Sequence, residues 1–319
     1  MGLPSKNFNK EELLPLDVSG MKGDCVTDFD LYVEVGGHLV LYAPSPYKWT
    51  EGEIKRLIAD GHLELLYEKD NEAKVKAYRK IGLIRKINED LPPVERIKDI
   101  TDVAAEFNRV LFDHPLDETT HNKAKQIADS LVECVKEDPL SVRALGLLSE
   151  HDMYTYYHSG RVSAYAVAVA IKMSISQEQH LREIAMGCLL HDVGKSKVDL
   201  KILTKAGPLT EREWDLMKKH PEFGLQLVSQ KALLSIVPME IILHHHERID
   251  GKGYPHGLGR NEILEEVGIA AFSDIFDALT SNRPYQKSRT RYEALDFIRF
   301  NLIEQINKEA FKAMVEIHA

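Results

Sequence analysis

Long apolar runs are missing from this sequence, and so are paired cysteines and any excess of basic residues. A membrane-spanning helix needs roughly 20 consecutive apolar residues, and no stretch approaches that length. The opening, MGLPSKNFNKEELL, has no apolar segment of the secretory-leader kind, so the expected compartment is the cytoplasm. The three cysteines, Cys25, Cys134 and Cys188, lie far apart with no CxxC spacing, which argues against a disulfide framework and fits a reducing environment. A net charge of −9 supplies no broad basic face to replace the counterions of DNA, so nucleic-acid binding is not expected. A small anionic substrate stays compatible, provided that cations or a few aimed Lys and Arg side chains reverse the local field. No internal repeat and no low-complexity tract is present.

What is there is an ordinary globular composition, 44% hydrophobic and 29% charged over 319 residues, enough for two modest domains or one with an N-terminal appendage. Residues 1–80 read as a small α/β domain. DFDLYVEVGGHLVLYA holds two alternating apolar runs joined by Gly36-Gly37, which predicts a hairpin. KWTEGEIKRLIADG predicts a helix capped by Thr50, with Ile54, Leu57 and Ile58 on its apolar face and Gly61 as its stop; HLELLYEK follows as a third strand. This part has no Gly-rich phosphate loop and no group of ligand-type residues, so a regulatory or structural role is expected. Residues 81–150 read as charged helices broken near Pro92-Pro93 and Pro115, expected to connect the two ends and to offer a homodimer surface. From 151 to 319, apolar-periodic segments alternate with short turns and without strands, the pattern of an all-α helical bundle.

Fourteen histidines are a generous number, and their positions in this half carry the argument. His158 is followed at helical spacing by Val162, Tyr165 and Val169, so it lies on the inward face. His191-Asp192 ends the apolar run IAMGCLL. His220 precedes Pro221, His244, His245 and His246 stand in succession, and Asp274 interrupts an apolar helix. Each has a bland alternative: a satisfied core histidine, a helix-end residue, a solvated face, a capping or ion-paired aspartate. Those alternatives would have to hold together on separate helices of one domain, and a metal site explains them jointly. Imidazole and carboxylate ligands without thiolates suit Fe, Mn, Zn, Ni or Mg. Successive helical residues differ by about 100° in direction, so one adjacent pair of the triplet is expected to bind and not all three. An aspartate beside a histidine can bridge two ions through its two oxygens.

HDVGKSKVD, LTEREWDLMKKHPEFG, HHERIDGKGYPHGL and DIFDALTSNRPY together resemble the HD-GYP family, a branch of the HD-domain phosphohydrolases, over about residues 151–295. The resemblance implies an all-α catalytic domain holding a two- or three-metal centre that hydrolyses cyclic di-GMP. Carried over position by position, it implies one ion held by His158, His191, Asp192 and Asp274. A second would be held by Asp192, His220, His245 and His246, with Asp192 bridging and His244 a bystander or a support. Three-metal members carry a Glu one helical turn before the first histidine. Tyr154 stands there, so two divalent ions, iron or alternatively manganese, are expected.

A hydroxide between two cations is a strong nucleophile at neutral pH, because the metals depress the pKa of water. Lys195, one turn after His191, is assigned to phosphate binding and transition-state stabilisation. Asp277, at i+3 from Asp274, is assigned to orienting a ligand. Arg283 and Lys287 are expected to clamp the second phosphate, and Tyr254 in the DGKGYP loop to stack on or hydrogen-bond the substrate. Gln286 replaces the arginine of the family's usual RPYR, removing one positive charge, and the C-terminal segment lacks the family's glycine and FDP-like close. The family associates the GYP loop with diguanylate cyclase domains, which makes such a domain an expected partner. The leading expectation is a cyclic di-GMP phosphodiesterase yielding pGpG and onward GMP. Two alternatives are a catalytically weak metal-bound module that binds a nucleotide or a cyclase, and a phosphohydrolase for another nucleotide.

Overall fold

The computed structural model describes residues 12–18, 21, 25–35, 37–75, 78, 91–113, 118–147, 154–205, 207–229, 233–281 and 288–319. The chain divides into two compact units, Met1–Glu89 and Asp90–Ala319.

The first unit is built on strands β1 (Leu13–Asp17), β2 (Val26–Thr27), β3 (Leu31–Val35), β4 (His38–Ala43), β5 (Tyr47–Lys48) and β6 (Glu64–Glu68), with helix α1 (Glu51–Ala59) before β6. Four strands form an antiparallel sheet in the order β1-β6-β3-β4, and β2 pairs with β5. The hairpin expected at Gly36-Gly37 sets Val35 opposite His38, with Gly37 at φ +81°, a backbone region glycine enters freely. The third strand is β6. Sequence reading missed β1 because LLPLD carries a proline; the strand lies at the sheet edge, where a missing N–H is tolerated. Thr50 caps α1 as expected: Oγ1 accepts the Glu53 N–H at 3.2 Å, and the Glu53 carboxylate accepts the Thr50 N–H at 2.9 Å. Ile54 and Leu57 are buried, but Ile58 is 39% exposed, so the buried stripe of this short helix is narrower than its apolar pattern. Leu16, Phe29, Leu31, Trp49 and Leu65 fill the core, and Trp49 Nε1–H donates to Thr27 Oγ1 at 3.2 Å.

The second unit contains α2 (Pro93–Asp113), α3 (Glu118–Glu137), α4 (Tyr154–Lys172), α5 (Glu178–Leu190), α6 (Leu200–Leu203), α7 (Glu211–Met217), α8 (His220–Ser229), α9 (Ile236–His244), α10 (Glu265–Thr280), α11 (Arg291–Asn301) and α12 (Lys308–His318). Its described residues form no strand, only one isolated bridge between Asp250 and Gly259. Helix α4 is the axis. Every residue from His158 to Ala170 is buried, the polar His158, Ser159, Arg161 and Ser163 included, and α2, α3, α5, α10 and α12 pack around it.

Two contacts then fix where the ligands meet. α5 ends at His191-Asp192 and passes into a tight turn over Val193–Lys197. Gly194 in that turn lies against α8 so closely that a Cβ would stand 1.9 Å from the His220 carbonyl oxygen and 2.4 Å from the Gly224 nitrogen. Only a glycine lets Asp192 and His220 approach in this way.

Candidate metal centre

Four histidines are locked in one tautomer by what their Nδ1 atoms touch. His191 Nδ1–H donates to the Cys188 carbonyl (2.6 Å), His220 Nδ1–H to the Met217 carbonyl (2.9 Å), and His245 Nδ1–H to the Ile242 carbonyl (3.0 Å). His158 Nδ1–H donates to Asp277 Oδ2 at 2.7 Å. For His191, His220 and His245 this leaves Nε2 as a lone pair, the arrangement in which imidazole binds metal. On His158, burial is outweighed by Asp274 and Asp277, which raise the ring above the ordinary histidine range, so without a cation its Nε2 holds a proton toward Asp274.

Those lone pairs point at one another and at two carboxylates. His220 Nε2 and His245 Nε2 are 3.2 Å apart, an approach between two acceptors that a shared cation would relieve. His158 Nε2 lies 2.9 Å from Asp274 Oδ1, which likewise calls for a proton or a cation between them. Asp192 sits in the middle. Its Oδ1 faces His220 Nε2 (3.4 Å) and His245 Nε2 (3.9 Å); its Oδ2 faces His191 Nε2 (3.4 Å) and His158 Nε2 (3.9 Å). His246 Nδ1 stands 3.7 Å from Asp274 Oδ2. Two groups of donor atoms meet within metal-binding reach: His220, His245 and His246, and His158, His191 and Asp192.

The buried polar atoms test whether a metal fits. His191 Nε2 and Asp192 Oδ1 are fully buried without a hydrogen-bond partner, a costly condition for a ring nitrogen and a carboxylate oxygen unless a cation meets them. The titration behaviour agrees. Burial, reinforced by neighbouring cationic groups, pushes His220 down to about 3 and His246 down to about 4, and holds His245 well below the ordinary histidine range. These rings are neutral and ready as ligands at neutral pH. Burial alone would raise Asp192, but Lys195 and the surrounding histidines outweigh it and keep the carboxyl well below its ordinary range. The donor set, all nitrogen and oxygen, suits a divalent transition metal.

The structure thus brings all seven expected ligands together on the end of α5, α8, the end of α9, α4 and α10. Lys195 is also here, its Nζ 2.6 Å from Asp192 Oδ2. Tyr254 lays its ring against His246, centroids 4.7 Å apart, and its N–H donates to the His246 carbonyl at 3.2 Å. His244 points elsewhere, bonded through Nδ1 to Glu240 (2.9 Å) and through Nε2 to His256 (3.0 Å). Arg283, Gln286 and Lys287 lie outside the described residues, as does the side chain of Tyr154.

Asp277, expected to orient a ligand, bonds the ring of His158. Behind it stands a residue that sequence reading missed. Arg161 gives Asp277 two bonds, Nε to Oδ1 at 2.6 Å and Nη2 to Oδ2 at 3.1 Å, and reaches Ser281 Oγ at 3.0 Å. Burial would lift the Asp277 carboxyl, yet Arg161 and His158 hold it at about 2. The clue was available: Arg161 is a charged residue one turn from His158 inside an otherwise apolar helix. Glu247 was missed too, an acid with 4% exposure directly after the last two ligands.

The profile of the HD domain family matches residues 144–305, a little over half of the chain. The chain belongs to the HD domain family. The ligand-bearing segments of its HD domain are those of the HD-GYP branch, as expected from the quoted motifs. Its relatives include the Cyclic di-GMP phosphodiesterase PA4108 of Pseudomonas aeruginosa, 37% identical over 178 residues, covering 56% of this chain and 42% of that protein. Another is the 3′3′-cGAMP-specific phosphodiesterase 3 of Vibrio cholerae, 33% identical over 191 residues, covering 58% and 39%. The chain therefore spans less than half the length of these curated relatives. Among solved structures, Bd1817, an HDG"Y"P protein from Bdellovibrio bacteriovorus, shares the fold with a TM-score of 0.66 at 22% identity, over 96% of this chain and 99% of that one. No helix among the described residues is long and apolar enough to cross a membrane.

Proposed function

We propose that the HD domain of this chain is a two-metal phosphodiesterase that hydrolyses cyclic di-GMP to linear pGpG and onward to GMP. The observation that carries the reading is Asp192, whose two oxygens face two separate sets of imidazole lone pairs, one oxygen being buried without a hydrogen-bond partner. In this reading one ion would be held by His158, His191, Asp192 and Asp274, and the other by Asp192, His220, His245 and His246. Iron or manganese is the proposed metal. When bound, the ions supply Lewis acidity that makes water a nucleophile at neutral pH and neutralises phosphate charge.

The protein's own groups do the rest. Lys195, its Nζ held against Asp192, would present its ammonium to a phosphate oxygen and stabilise the charge that builds on it. Tyr254, stacked on His246, gives a guanine base an aromatic face at the rim. Arg283 and Lys287 serve as further phosphate contacts. Hydrolysis adds water across one P–O3′ bond, the hydroxyl going to phosphorus and the proton to the departing O3′. The substrate comes from the relatives: the Pseudomonas protein is named for cyclic di-GMP and the Vibrio protein for 3′3′-cGAMP. The small α/β unit is proposed as the regulatory part.

The test is anaerobic purification, Fe and Mn quantification, and incubation with cyclic di-GMP and 3′3′-cGAMP while linear products are followed by chromatography. Turnover of cyclic di-GMP with about two ions per chain, lost when His191 and Asp192 are both changed to alanine, is the expected result. Retained turnover in that double variant would refute the mechanism. Nucleotide binding without turnover in a metal-replete sample would point instead to a binding module.

A further inference from the structure

The segment after the last ligand turns back on itself, and a buried acid holds the return. Glu247 is 4% exposed, and no Lys or Arg pairs with it among the described residues. Its carboxylate instead accepts three consecutive backbone N–H groups: His256 (2.6 Å) and Gly257 (3.0 Å) on Oε1, and Leu258 (3.0 Å) on Oε2. A carboxylate cannot be buried without such donors, and bonds to a charged acceptor are the strong ones. The loop lies flat on the ligand-bearing chain. A Cβ on Gly253 would come within 2.4 Å of Glu247 Cα and 2.6 Å of the His246 carbonyl oxygen. One residue further, Tyr254 meets His246 by its ring and its N–H. On the other side, His244 bonds the His256 ring. The two residues flanking the pair His245-His246 therefore both grip the loop at residue 256, while its tyrosine presses on His246.

We propose that Glu247 is a positioning residue: by clamping residues 256–258 it seats Tyr254 on His246 and holds that imidazole in its metal-binding orientation. The inference rests on the metal-centre reading above. His246 needs such support most. Among the described residues, it is the one proposed ligand histidine with no backbone carbonyl or carboxylate within hydrogen-bond distance to fix the ring, Asp274 Oδ2 standing 3.7 Å away, and its side chain is 27% exposed. Removing a group that orients a metal ligand typically weakens metal binding by about 10- to 100-fold.

The experiment uses the full chain in three forms: wild type, Glu247→Gln and Glu247→Asp. Hydrogen exchange of the metal-free wild type comes first. The amides of His256, Gly257 and Leu258 should exchange slowly although His256 and Gly257 are exposed residues; exchange as fast as an open loop would overturn the clamp without any mutation. Co(II) is then titrated into each form with its visible absorption as readout. Glu247→Gln, which puts an amide where the anion was, should speed exchange at 256–258, weaken Co(II) binding about 10- to 100-fold, and change band intensity at saturation. Glu247→Asp keeps the charge and should recover part of that affinity. Unchanged Co(II) affinity and spectrum in Glu247→Gln, with the wild type binding normally, would overturn the proposal. Failure of the wild type itself to bind Co(II) would overturn the metal-centre reading instead.

Discussion

Changing Arg161 to methionine tests the support behind the metal centre. Methionine keeps an unbranched side chain of similar length in the packed helix α4 but removes the charge and every bond to Asp277 and Ser281. Burial pushes the Asp277 carboxyl up, yet in the native protein it stands at about 2 against an ordinary 3.8, because Arg161 and His158 together outweigh burial. At about 1.4 kcal/mol per pKa unit, that depression is worth roughly 2.5 kcal/mol, shared between the two partners. Breaking a buried pair by removing one member costs more, about 3–5 kcal/mol, and here the desolvated carboxylate would keep His158 alone, which sets the lower end of that range. The second figure governs, since the Asp277 side chain is only 1% exposed and cannot turn to water. The sign of the pH dependence follows. Without Arg161 the buried Asp277 moves above its unfolded value, so its cost is full at high pH and is relieved as pH falls through the raised value. In the wild type, Asp277 contributes equally at pH 8 and pH 5. Urea denaturation of both metal-free proteins should therefore give a deficit of about 3 kcal/mol at pH 8 that shrinks at pH 5. A deficit below about 1 kcal/mol, or one as large at pH 5 as at pH 8, would refute the reasoning.

Metal-free protein should lose stability as pH falls from 7 to 4.5. The unfolded chain takes up protons at His220 and His246 near 6.5, while the folded rings resist until about 3 and about 4; thermal melts over that range check it. Restoring the metal should raise stability by roughly 2.7 kcal/mol when the free ion exceeds its Kd a hundredfold, read in the same melts. Gly194→Ala should destabilise the protein by about 1–3 kcal/mol and lower its metal content, since the new methyl meets backbone on α8 and must push His220 away from Asp192; metal analysis and urea titration read both.

The residues expected as ligands stood out because several of them, His158, Asp192 and Asp274 above all, are polar exceptions in or at the end of apolar helices, and burial of such a group needs a reason. The hairpin, the capped helix α1 and the helical character of the second unit were legible for the same kind of cause: turn glycines, a capping box and apolar period all act locally. What could not be read is what depends on the fold. Three of the four tautomer-fixing acceptors are backbone carbonyls, of Cys188, Met217 and Ile242, which carry no residue signature. Glu247 has no signature in the sequence, because its burial depends on the chain folding back over it. Strand β1 hid behind Pro15, and Ile58 promised a wider buried face than two turns of helix provide. Arg283 and Lys287, expected to contact a second phosphate, fall outside the described residues.

The carbonyl partners have a consequence for how this centre can vary. A ring whose proton is held by main chain cannot be retuned by exchanging its partner, because every amino acid offers the same carbonyl. His191, His220 and His245 are thus insulated from substitution at the positions that hold them. His158 is different: its basicity depends on a carboxylate, and that carboxylate on an arginine, both replaceable. Among the four rings fixed through Nδ1, point mutation of the partner can retune His158 alone: exchanging Asp277 for asparagine or Arg161 for a neutral residue alters the electron density on that imidazole while the ring stays in place.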